Sequence, residues 1–169
     1  TVLKDYEQKT FPQQWAIIQN HLGMAYRQRI KGDRAENIEK AISSGKSALQ
    51  ILTQQTLPQE WAMTQNDLAN AYIKRINRDK AENIEKAISS CKAALEVYTQ
   101  QAFPQDWAIT QSILGNAYIE KSNGDKSENI EQAISFYKDA LQVYTQQDFP
   151  QDWAMIQDNL GNAYTNRIK

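Results

Sequence analysis

The sequence predicts an all-α fold, a stack of paired helices, and three observations carry that prediction. The first is a period: Trp15, Trp61, Trp107 and Trp153 stand 46 residues apart, and Pro12, Pro58, Pro104 and Pro150 keep the same interval. A fixed period in this range is the mark of stacked supersecondary units, because one unit cannot bury its apolar face without a neighbour. The second is helical patterning on both sides of each unit. The third is punctuation, a proline at the start of every unit and a Gly-Asp or Asn-Arg-Asp turn near its middle. Nowhere does a period-two apolar pattern persist, which argues against strands.

Taken in order, residues 1–10 read as the tail of a preceding repeat, since Val2 to Lys9 precede Phe11-Pro12 much as Ala140 to Gln147 precede Phe149-Pro150. A chain that starts inside such a tail, with Thr1 in place of Met, is expected to be a segment of a longer protein. Repeat 1 covers 11–56, repeat 2 covers 57–102 and repeat 3 covers 103–148; 149–169 hold only the first helix of a fourth, with no domain boundary inside.

In repeat 1, Trp15, Ile18, Leu22, Ala25, Tyr26 and Ile30 follow the spacing of an amphipathic helix. Proline in the opening turn loses no intrahelical bond, and the Phe or Leu before it is placed to pack back as a staple. The helix is expected to stop at Lys31-Gly32-Asp33, as at Asn123-Gly124-Asp125, where glycine supplies a left-handed residue. In repeat 2, Asn77 is expected to take that conformation. The second helix is announced by Asp33-x-x-Glu36, Asp79-x-x-Glu82 and Asp125-x-x-Glu128, a capping-box pattern with Asp as the cap. Its stripe in repeat 1 runs from Ile38, Ala41 and Ile42 through Gly45, Ala48 and Leu49 to Leu52. The corresponding pairs are expected over roughly 58–76 with 80–100 and 104–122 with 126–147, with a lone helix over 150–168. Short polar turns make consecutive helices antiparallel neighbours.

At Leu114-Gly115-Asn116-Ala117-Tyr118, followed by Ala133, Tyr137, Ala140 and Leu141, the chain resembles the tetratricopeptide repeat. Leu22-Gly23-Met24-Ala25-Tyr26, Leu68-Ala69-Asn70-Ala71-Tyr72 and Leu160-Gly161-Asn162-Ala163-Tyr164 repeat the first half of its signature. The resemblance implies a right-handed superhelical solenoid in which the small residue after Leu lets paired helices approach. The unit exceeds the usual length of about 34 residues. Its surplus is expected in the Gly-Asp turn and in longer helices around Phe-Pro-Gln-Asp-Trp, which looks like the kinesin-light-chain type. Similar arrays occur in bacterial multidomain proteins, cyanobacterial ones among them. The second half of the signature thins: Phe136-Tyr137 is replaced by Ser90-Cys91 and then by Ser44-Gly45. A closer helix approach at Gly45 is expected, with a small pocket as the alternative.

In such arrays the first helices line a concave groove, so the resemblance places candidate binding residues between the core positions. They are Asn20, Asn66, Asn70, Ile73, Lys74, Ser112, Asn116, Ile119, Glu120, Asp158 and Asn162. Asn70, Asn116 and Asn162 form a ladder. An amide both donates and accepts, so successive rungs suit the backbone of an extended ligand; the alternative is that they tie helices together. Charge along the groove changes sign, from Arg27 and Lys74 to Glu120 and Asp158, which favours a mixed or apolar segment over a uniformly acidic one. The repeated tryptophans read as core rather than as an aromatic ladder, and Gln19, Gln65, Gln111 and Gln157 are expected to bond between helices.

Other functions find little support. Nineteen basic and twenty acidic residues leave a net charge of −1, so nucleic acid and acidic membranes are not expected partners. No apolar run approaches the roughly 18 residues that span a bilayer. His21 and Cys91 stand in different repeats without a companion ligand or base, and no phosphate loop or paired-acid constellation occurs, so neither enzyme activity, metal nor cofactor is expected. One cysteine and many amides suit a reducing compartment, the cytoplasm. The expected function is a scaffold that binds a protein or peptide in its groove. The alternative is a structural array that self-associates, a homo-oligomer formed through exposed terminal helices by stacking or swapping.

Overall fold

A computed structural model describes residues 8–75 and 79–167 of the chain. Among the described residues a short helical stretch at residues 8–10 is followed by seven helices: α1 (Pro12–Gln28), α2 (Arg34–Ala48), α3 (Pro58–Ile73), α4 (Lys80–Leu95), α5 (Pro104–Glu120), α6 (Lys126–Ala140) and α7 (Pro150–Arg167). There is no strand among the described residues. The helices pack in pairs, α1 with α2, α3 with α4 and α5 with α6, and each pair then packs on the next to make an all-α solenoid of tetratricopeptide type.

The punctuation works as the sequence predicts. Phe11, Leu57 and Phe103 hold non-helical backbones, with ψ of 63°, 73° and 66°, ahead of proline at the first helical position, and none uses a side-chain cap. Every second helix is capped by its aspartate, whose carboxylate accepts from the backbone N–H three residues on: Asp33 from Glu36 at 2.7 Å, Asp79 from Glu82 at 3.1 Å and Asp125 from Glu128 at 2.9 Å. Gly32 and Gly124 adopt φ of 89° and 85°. Asn77 lies outside the described residues.

Two expectations need correction. The second helices end at Ala48, Leu95 and Ala140, earlier than the expected ends at Leu52, Gln100 and Gln147, so the surplus length forms a connecting loop and not longer helices. Leu52, Tyr98 and Tyr144 are buried all the same, because the loop folds them back under the next first helix. Tyr98 donates its hydroxyl proton to the Gln59 carbonyl at 2.9 Å and Tyr144 to Gln105 at 3.3 Å. Thr99 closes its loop by accepting from the Ala102 and Phe103 N–H groups, the first on its hydroxyl and the second on its carbonyl. Phe103 and Phe149 then stack edge-on against Tyr98 and Tyr144, with centroids 5.7 and 5.2 Å apart. Phe11, at the same position in repeat 1, is 58% exposed.

The second correction concerns α1. Ile18 is 61% exposed and Leu22 and Ala25 are also on the surface, whereas Leu68, Leu114 and Leu160 at the equivalent of Leu22 are buried. In α3, α5 and α7 that face rests on the second helix of the preceding repeat, and no such helix lies against α1 among the described residues. Ile30 lies beyond the end of α1, where Arg29 is already extended, and is fully exposed.

The core is a layered series of contacts. Ile38, Ala41 and Ile42 of α2 meet Leu68, Ala69 and Tyr72 of α3, which continue through Ile84, Ala87 and Ile88 of α4 to Ile113, Leu114 and Ala117 of α5. A second body joins α5, α6 and α7 through Ala108, Ile130, Ile134, Tyr137, Ile156 and Leu160. Trp15 is buried, and Trp61 and Trp107 pack against Ala62, Ala94 and Tyr98, in keeping with a core role. The repeated glutamines make no interhelical side-chain hydrogen bond among the described residues, although Gln19 and Gln111 are buried between helices.

Small residues set the helix spacing. A Cβ on Gly45 would stand 2.9 Å from Leu68 Cγ and Cδ2, so the thinned signature in repeat 1 produces the closer approach and not a pocket. A Cβ on Gly115 would come 2.4 Å from the Tyr137 ring. Where repeat 3 pairs glycine with tyrosine, repeat 2 pairs Ala69 with the buried Cys91, and repeat 1 brings Gly23 beside Gly45.

Candidate functional site: a cleft along the first helices

Because each first helix follows the second helix and loop of the preceding repeat, α3, α5 and α7 come to lie side by side. Residues that follow the conserved-in-repeat Leu by two, five and six positions share one face, since three or four residues make a helical turn. Between them lies a cleft of about 280 Å³ lined by Asn70, Ile73, Lys74, Asn116, Ile119, Glu120, Tyr137, Asn159 and Asn162. Seven of the eleven residues singled out from the sequence meet here: Asn70, Ile73, Lys74, Asn116, Ile119, Glu120 and Asn162.

The other four are placed elsewhere. Asn20, Asn66 and Ser112 occupy one helix position in successive repeats and are buried between neighbouring first helices. Asn66 Nδ2 donates to Thr110 Oγ1 at 2.8 Å, and that hydroxyl donates in turn to the Asp106 carbonyl at 2.7 Å. This position therefore sits one notch toward the stack and joins helices. Asp158, its counterpart on α7, is exposed and does not line the cleft.

The three rungs of the amide ladder differ in what they leave available. Asn70 Nδ2 donates back to the Asn66 carbonyl at 3.3 Å, which leaves its Oδ1 as an acceptor. Asn116 Oδ1 accepts the Tyr137 hydroxyl proton at 2.8 Å, which leaves its NH2 as a donor. Asn162 is exposed and makes no side-chain hydrogen bond among the described residues, so both ends are available. Tyr137 is thereby part of the site although its ring is buried, with its phenol pushed to a raised pKa by burial and by Glu120. The sequence marks Tyr137 as core, and its hydroxyl is the only hint that it reaches further. Asn159 was equally hidden, because its equivalents, His21, Asp67 and Ile113, share no chemistry.

Charges around the cleft are mostly committed. Glu120 Oε2 lies 2.6 Å from Lys80 Nζ, and Arg27 joins α1 to Asp67 of α3 at 3.2 Å. Burial raises the Asp67 pKa despite Arg27. Burial first, then the nearby Arg27 and Arg34, hold the Lys74 pKa below the usual lysine value. A ladder of ion pairs also clips successive repeats: Arg75 to Glu39 at 2.5 Å, Lys121 to Glu85 at 3.1 Å and Arg167 to Glu131 at 2.5 Å. These pairs recur at the 46-residue interval, so the sequence carried their signal. Among the described residues, no group of three or more His, Cys, Asp or Glu side chains gathers to hold a metal. Burial raises the Cys91 thiol far above its usual range, which keeps it an unreactive core group.

Paired helices of constant period, with one face of the first helices lining a continuous cleft, define an α-helical repeat scaffold. Residues 61–99, most of the second repeat, match the family model of the tetratricopeptide repeat, in keeping with the all-α repeat fold. Repeats of this family generally serve as protein-interaction scaffolds and are typically not enzymes. No curated protein and no solved structure matches the sequence. Among the described residues no helix is long and apolar enough to cross a membrane.

Proposed function

We propose that the cleft along α3, α5 and α7 binds an extended segment of another protein, without catalysis. The observation that supports this most directly is the fixed orientation of Asn116: with Oδ1 engaged by Tyr137, its NH2 is presented as a donor toward the cleft. Asn70 presents an acceptor on the neighbouring helix, and the two together match the C=O and N–H of a peptide backbone. Ile73 and Ile119, in the same cleft, offer apolar contact to a side chain between them.

The test is the double variant Asn70→Ala, Asn116→Ala, measured against a partner recovered with the immobilised protein. Each lost hydrogen bond contributes about 0.5–1.5 kcal/mol, so together they should weaken affinity about tenfold or more. The far-ultraviolet circular dichroism should not change, since neither side chain is in the core. Unaltered affinity would remove the amide ladder from the binding site.

A further inference from the structure

The cleft contains a cation, Lys74, that forms no salt bridge among the described residues. Its acid, Glu120, is held by Lys80, and the neighbouring guanidiniums are engaged too: Arg27 by Asp67, and Arg75 by Glu39 through two nitrogens at 2.5 and 2.6 Å. Arg34 donates to the Arg27 carbonyl at 2.9 Å, which draws a further positive charge to the same corner. Lys74 forms no salt bridge among the described residues, and the charged groups that act on it most, Arg27 and Arg34, are both cations. Four charged groups, Arg27, Arg34, Lys74 and Asp67, therefore converge with three positive charges to one negative, in a chain whose total is −1. Lys74 lies within the cleft beside Ile73, Asn70 and Asn116.

We infer that the bound segment carries an aspartate or glutamate side chain at Lys74 and an aliphatic side chain between Ile73 and Ile119. This rests on the peptide-binding reading of the cleft. Opposite charge at Lys74 restores the local balance, and the adjacent Asn116 NH2 supplies a neutral donor to the same carboxylate or to the backbone beside it. The acid belongs to the interior of the segment rather than to a chain end. First helices flank α3 on both sides, α1 through the Arg27–Asp67 pair and α5 across the cleft, so a ligand following the first helices runs past the lysine.

The experiment uses short peptides of alternating Leu and Glu, Leu and Gln, or Leu and Lys, each acetylated and amidated. Titration calorimetry gives affinities, and the side-chain amide signals of Asn70, Asn116 and Asn162 in 15N-labelled protein report where binding occurs. The Leu-Glu peptide should bind about tenfold more tightly than Leu-Gln and lose that margin at high salt, with Leu-Lys weakest. Lys74→Gln should erase the margin; as an exposed residue at a helix end its replacement should leave the circular dichroism intact. Equal binding of Leu-Glu and Leu-Gln, with the asparagine signals shifted, overturns the acidic preference while upholding the cleft. If no peptide shifts those signals, both readings fail. A fourth peptide, Leu-Glu with its terminal carboxylate left free, serves as the control: binding by this peptide but not by the amidated one overturns the interior placement.

Discussion

Gly115 and Gly161 occupy the same place in the same pentapeptide, Leu-Gly-Asn-Ala-Tyr, yet alanine at the two should act with opposite sign. In a helix interior alanine is favoured over glycine by about 1 kcal/mol. At Gly161 nothing lies within 4 Å of the added Cβ, so the full gain should appear. At Gly115 the Cβ would come 2.4, 2.7 and 2.8 Å from three ring carbons of Tyr137. That ring is 1% exposed and tethered by its hydroxyl to Asn116, so it has no free direction in which to yield. Overpacking of this kind costs about 1–3 kcal/mol, and contacts this short belong at the upper end. The net expectation is a loss of about 2 kcal/mol for Gly115→Ala against a gain of about 1 kcal/mol for Gly161→Ala. Urea denaturation followed by circular dichroism measures both, and with a slope of about 1–3 kcal/mol per molar the midpoints should separate by about 1 M or more. Adding Tyr137→Leu should restore much of the loss at Gly115, while Tyr137→Phe, which keeps the ring, should not. A Gly115→Ala protein stabilised as much as Gly161→Ala would refute the close-approach argument.

The ion-pair ladder should weaken in steps along the solenoid. The Arg75 side chain is 8% exposed, so Glu39→Gln leaves a buried cation poorly compensated and should cost about 1.5–3 kcal/mol. Glu131→Gln, facing the half-exposed Arg167, should cost less than about 1 kcal/mol, and equal shifts in urea midpoint would contradict this. A pH effect is expected from Asp106, whose carboxyl is held above its usual pKa by burial. A carboxyl raised in the folded state binds its proton more tightly there, so its contribution favours folding at low pH. That contribution is lost as pH rises from the ordinary aspartate value through the raised one. Asp106→Asn should flatten this part of the stability profile, and denaturation midpoints across mildly acidic pH that track the unsubstituted protein would count against it.

Legibility followed distance along the chain. The starts of the helices, the caps at Asp33, Asp79 and Asp125 and the left-handed Gly32 and Gly124 were all readable, because each depends on bonds within four residues. The ends of the second helices are not legible in the sequence, because Leu52 and Tyr98 continue the helical stripe while being buried from a loop. Within the candidate site, the variable positions Ile73, Lys74, Ile119 and Glu120 were found from their phase in the repeat. Asn20, Asn66 and Ser112, one step around the helix, went to the interface between repeats, a difference of direction that a linear pattern does not resolve.

By itself the sequence determined the all-α class, the 46-residue unit and the order of its helices, since periodicity and local hydrogen bonding are properties of the chain taken a few turns at a time. Tertiary structure decided how those helices share their surfaces. A first helix in this stack touches its own second helix, the second helix of the repeat before it and the first helices on either side, so apolar spacing alone cannot say which face stays open. It also decided that Tyr137 orients Asn116 and that Lys80 occupies Glu120, leaving Lys74 as the charge the cleft presents. Those facts join residues from different helices, and only the packing of one repeat on the next brings them together.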